Sequence, residues 1–85
     1  MSMKTLATLE SFPISANCYL KIRLVRLTSS TSGPKTMVDV RIWRAATRGE
    51  FPTAKGVLFS ITEVPTVRSA LDRAKAQAAT AWRSA

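Results

Sequence analysis

Histidine is missing from this chain, and cysteine occurs once, at Cys18. The first absence removes the commonest general base and metal ligand; the second excludes an internal disulfide. No CxxC pair stands in for them, so neither a metal site nor a cofactor is expected. Acid is scarce as well. Glu10, Asp39, Glu50, Glu63 and Asp72 are the only carboxylate side chains, and their scatter offers no acid–base pair and no nucleophile with a base beside it. An enzyme is not expected. Nor does any apolar run approach the roughly 20 residues that a membrane span requires. Residues 1–10 lack the apolar centre of a secretion signal, and a single thiol suits a reducing compartment. A cytoplasmic or nucleoid-associated protein, or one acting in the host cell if phage-encoded, is the expectation.

What is present is positive charge. Thirteen lysines and arginines against five acids leave a net charge of +8 on 85 residues. A small basic chain of this kind implies a polyanionic partner. A domain of about 60 residues buries only about 60% of the surface its unfolded chain exposes. With no staple to compensate, self-association is the first expectation for a chain little longer than that.

The charge is unevenly placed. Residues 1–17 hold Lys4 and Glu10 and are neutral, whereas residues 18–55 hold eight cations against Asp39 and Glu50. That middle stretch reads as strand. Leu20-Lys21-Ile22-Arg23-Leu24 alternates with a period of two, giving a half-buried strand with a basic outer face. The alternation slips near Arg26, and residues 28–34, rich in serine and threonine, read as a loop. In a second strand over 35–44, Val38, Val40 and Ile42 form a core face, while Met37, Asp39, Arg41 and Trp43 project the other way. A tryptophan beside an arginine on a polar face fits base stacking, and equally a second small core or a dimer contact.

A turn at residues 47–50 leads through Pro52, which belongs at a sheet edge or in an irregular entry segment, into a third strand over 54–59. Lys55-Gly56 lies at its start, where glycine allows close approach by a ligand or by another backbone. Phe12-Pro13-Ile14 reads as a short edge strand, and residues 1–11 as a flexible N-terminus preceding a domain over 12–85.

A helix follows over 63–83. Ser60 and Glu63 have capping-box spacing, although Pro65 also permits a cap at Thr62. Val64, Val67, Leu71, Ala74 and Ala78 form a thin stripe at three–four spacing, and Trp82 reads as a packing anchor. An alanine-rich stripe is a poor membrane face, so no membrane partner is expected.

The run Val38-Asp39-Val40-Arg41-Ile42-Trp43, then Gly49-Glu50-Phe51-Pro52-Thr53-Ala54-Lys55-Gly56-Val57, then one helix, resembles the transcriptional positive cofactor four family of single-stranded DNA-binding proteins, which has bacterial and phage members. The resemblance covers residues 18–72 or so. It implies an α+β fold: a curved four-stranded antiparallel sheet followed by one C-terminal helix, homodimeric, with Val67, Leu71, Ala74 and Ala78 at the dimer interface. It implies sequence-nonspecific binding of single-stranded DNA across the sheet, in transcription, replication or repair. Arg41, Trp43, Lys55 and Gly56 would line the binding channel, with Arg23 and Arg26 on the neighbouring strand and Lys21 and Arg44 beside them. Three departures stand out: Ala54 replaces a basic residue, Arg44 replaces a second aromatic, and the loop at 28–34 is longer than usual. RNA bound by the same surface, or docking on transcription or replication machinery, are the alternative expectations.

Overall fold

Alternation decides the architecture. The computed structural model describes residues 2–31 and 33–84, with side chains as far as Thr80. Four strands, β1 (Ser2–Ser15), β2 (Cys18–Ser29), β3 (Gly33–Ala46) and β4 (Gly49–Ser60), form one antiparallel sheet in the order β1-β2-β3-β4. A 3-10 turn (Ile61–Glu63) leads into α1 (Val64–Ser84). The fold is therefore an open four-stranded antiparallel sheet plus one C-terminal helix.

Two expectations about extent need correction. The N-terminus is no loose arm: β1 pairs with β2 from Ser2↔Thr28 to Ser15↔Cys18, so residues 2–11 belong to the sheet. Its register slips at Leu6, at Leu9 and again at Ile14. Each slip leaves one residue unpaired and shifts the face of all that follow, which hides the two-residue period. The loop at 28–34 also shrinks to a tight hairpin, because Thr28↔Pro34 and Ser29↔Gly33 are already paired. Gly33 there takes φ 69°, a left-handed conformation that glycine adopts at little cost. Asn17 does the same at φ 63° in the β1–β2 turn, where its carbonyl accepts from Ala45 N–H at 2.7 Å.

The β2–β3 register sorts side chains onto two faces. Tyr19, Lys21, Arg23 and Val25 oppose Trp43, Arg41, Asp39 and Met37 on one face; Leu20, Ile22 and Leu24 oppose Ile42, Val40 and Val38 on the other. Burial runs against the expectation from composition. Val25 and Asp39, both with no exposed surface, lie on the charged face, while Ile22, Val38, Val40 and Ile42 on the apolar face are only half-buried. The helix explains this. Val64 and Val67 face Ile22, Val38, Val40 and Phe59 across a groove of about 250 Å³ and leave them partly open, and residues 68–80 are all exposed. Leu71 remains 65% exposed. The capping box is present, with Ser60 N–H donating to Glu63 Oε1 at 2.9 Å. Trp82's side chain lies outside the described residues.

Candidate nucleic-acid interface

The charged face is organised around Asp39. Arg23, directly opposite on β2, donates to Asp39 Oδ2 from Nη2 at 2.7 Å and from Nε at 3.2 Å. Arg41, two residues along β3 and thus on the same face, donates from Nε to Oδ1 at 3.1 Å. Both carboxylate oxygens are occupied, and a carboxylate that is 0% exposed requires such partners. Further donors of each guanidinium reach outward: Arg23 Nη1 to Thr5 Oγ1 on β1 at 2.6 Å, and Arg41 Nη1 to the Thr53 carbonyl on β4 at 3.0 Å. One acid thereby ties together all four strands.

Trp43 packs into the same cluster. Lys21 Nζ lies 4.5 Å and Arg23 Cζ 4.9 Å from its ring centroid, within the range of cation–π attraction. Its Nε1 is buried and has no hydrogen-bond partner among the described residues. Lys21 Nζ also meets Glu50 Oε1 at 3.0 Å. The local balance is thus three cations against two acids, with the cationic side chains only 10–16% exposed.

The sequence-selected residues divide between the two faces. Lys21, Arg23, Arg41 and Trp43 come together on the charged face. Arg26, in register with Lys4 and Thr36, follows Ile22 and Leu24 on the apolar face, at the hairpin end. Arg44 and Lys55 share a groove of about 460 Å³ at the other end, floored by Ile14, Cys18 and Ile42. Arg26, Arg44 and Lys55 are exposed.

Lys55 lies on that side because its neighbour Gly56 pairs with Arg41 on the charged face; beyond Lys55, β4 is irregular opposite Ile42. Arg41 pairs with Gly56 and Trp43 with Pro52, so β4 spends four residues where β3 spends two. Thr53 closes the gap: its Oγ1 donates to the Ile42 carbonyl at 2.7 Å and accepts from Lys55 N–H at 3.2 Å. Gly56 has a backbone reason to be glycine. A Cβ there would sit 2.7 Å from the Val40 carbonyl oxygen and 2.9 Å from Arg41 Cα. Its bareness serves strand packing. The Asp39 clamp and Thr53 escaped sequence reasoning. A hairpin centred on residue 31 places 23 opposite 39, and that arithmetic was the available signal.

Among the described residues no three His, Cys, Asp or Glu side chains gather as a metal site would need. No described helix is long and apolar enough to cross a membrane. Compared with known proteins, the chain matches no family model, no curated protein and no solved structure.

Proposed function

We propose that this protein binds single-stranded DNA without sequence preference, as a homodimer, through its basic sheet. One observation carries the reading: a chain of net charge +8 sets Lys21 and Arg23 over an aromatic ring, Trp43, with Arg41 on the same face of an open sheet. Cations neutralise phosphates and release counterions, and an indole stacks on any unpaired base. The family resemblance points the same way.

The geometry divides the labour. Asp39 and Glu50 offset two of the three charges around Trp43, so the phosphate contacts fall to the third, to the exposed Lys35 on the same face of β3, and to Arg48 at the β3–β4 turn. Trp43 supplies the stacking platform once a base displaces the cations over its ring.

Dimerisation is supported by how little the single chain buries. Its radius of gyration is 15.7 Å, against about 12 Å for a compact domain of this length. Val25 is the one fully buried hydrophobic residue among those described. Val67 and Leu71 line the groove of about 250 Å³ between sheet and helix, Ala74 and Ala78 continue their stripe beyond it, and a second copy laid along that stripe would complete the core.

The test is fluorescence anisotropy with single- and double-stranded DNA of one sequence across a salt series, with an RNA competitor. Preference for the single strand, with a log–log salt slope of about −0.7 per phosphate, is expected. Equal affinity for duplex, or no binding at low salt, overturns the reading, and preferential displacement by RNA reassigns the ligand.

A further inference from the structure

We propose that β1 is a self-association edge, along which two copies pair antiparallel about a twofold axis at Ala7. This contact is separate from the helix-mediated dimer and does not rest on nucleic-acid binding.

Three observations converge on that strand. The first is apolar exposure. Of the nine large hydrophobic side chains found exposed among the described residues, five lie on β1: Met3, Leu6, Leu9, Phe12 and Ile14. A 14-residue edge strand carrying such a row is a template for pairing with another chain. The opposite edge is guarded, since β4 carries Pro52 and Lys55 in its irregular middle, and both block strand addition. On β1 the single proline, Pro13, lies near the end.

The second observation is charge. Copies of a +8 chain repel one another over most of their surface, but β1 holds only Lys4 and Glu10. It is the neutral flank of a basic molecule.

The third is register. Lys4 and Glu10 lie three residues on either side of Ala7. The β1–β2 pairing sets Lys4 against Arg26, Ala7 against Leu24 and Glu10 against Ile22, so all three share the apolar face despite the two bulges. An antiparallel pair centred on Ala7 therefore sets Lys4 of each copy against Glu10 of the other, on one face and twice over. A twofold interface demands this self-complementarity. The product is an eight-stranded sheet with a continuous apolar face, and where copies also join through their helices, the edge contact links dimer to dimer.

The decisive experiment uses the full chain carrying Ala7→Cys and Cys18→Ser. Directly opposed residues of an antiparallel pair have Cα atoms about 4.5–5.5 Å apart, within disulfide reach. Mild oxidation is expected to give an interchain disulfide at low protein concentration. Glu10→Lys sets like charges opposite at two symmetric points and is expected to weaken association roughly tenfold in sedimentation velocity. Lys4→Glu combined with Glu10→Lys is expected to restore it. Both charged positions are exposed, so these variants retain the fold. Absence of the disulfide in a chain folded by circular dichroism overturns the proposal, as does a double swap no better than the single one. Leu71→Glu probes the helix contact alone, so the two contacts fail independently.

Discussion

Arg23 and Asp39 stand directly opposite one another on β2 and β3, and a guanidinium nitrogen closes on a carboxylate oxygen at 2.7 Å. The acid has no exposed surface, and its other oxygen is held by Arg41. Removing one member of such a pair strands the remaining charge, at a cost of about 3–5 kcal/mol. Asp39→Asn is therefore expected to cost that much in urea denaturation at fixed protein concentration. Replacing Arg23 by Met and Asp39 by Leu together is expected to recover most of the loss. A cost below about 1 kcal/mol for Asp39→Asn would show that both arginines regain water freely, ending the clamp's structural role.

The parts of this fold that were legible in the sequence are those whose period survives. Leu20 to Leu24 and Val38 to Ile42 alternate cleanly because β2 and β3 pair without a slip, and the helix stripe from Val64 to Leu71 repeats at three and four. β1 was illegible for a physical reason. Extra residues at Leu6, Leu9 and Ile14 each reverse the parity, so a paired strand reads as irregular chain. The site was half legible. Parity within β3 placed Arg41 beside Trp43, but only the β3–β4 register, which pairs Arg41 with Gly56, shows that Lys55 falls on the Arg44 side. Nothing in a lone aspartate among cations announces that it is the most buried charge among the described residues.

Gly56→Ala tests the close approach of β4 to β3. The added methyl would meet the Val40 carbonyl oxygen at 2.7 Å, so the strands must part. Overpacking of this kind costs about 1–3 kcal/mol, and a lowered thermal midpoint is expected with unchanged far-ultraviolet dichroism. Unaltered stability would mean that the strand shifts at no cost.

Glu63 is held below its ordinary carboxylate pKa, chiefly by the Ser60 backbone N–H and further by the Ser60 hydroxyl. The sign follows directly. A depressed folded pKa gives stability that is present above the unfolded value of about 4.3 and is lost as pH falls through the folded one. Helix content followed by circular dichroism from pH 7 to pH 3 is expected to fall in the native chain. In Glu63→Gln that dependence is expected to flatten, and an identical titration in both would remove the cap from the account.

Glu50→Gln tests how far pairing masks the cluster's charge. The substitution frees Lys21 from a 3.0 Å contact and removes a negative charge beside Trp43. If the sheet binds single strands, affinity rises, and the salt slope steepens by about 0.7, one further phosphate neutralised. The slope decides, since a change in affinity at constant slope would come from altered shape.

Trp43 separates stacking from packing most sharply. Its ring has Lys21 and Arg23 within 5 Å of the centroid, and its Nε1 is buried without a partner, so a purely structural role predicts lost stability and nothing else. A stacking role predicts more. In a Trp82→Phe background, Trp43 is the sole indole, and its emission is expected to quench as an oligonucleotide displaces the cations and lies on the ring. Trp43→Ala is expected to lose about 1–3 kcal/mol of binding, measured where the variant remains folded, and Trp43→Phe to retain most of it because a benzene ring still offers a face. Quenching with loss in the alanine variant and retention in the phenylalanine variant fits only a ring in contact with a base. Silence in the emission, with equal affinity for all three proteins, leaves Trp43 as packing and moves the binding surface to the groove of Arg44 and Lys55.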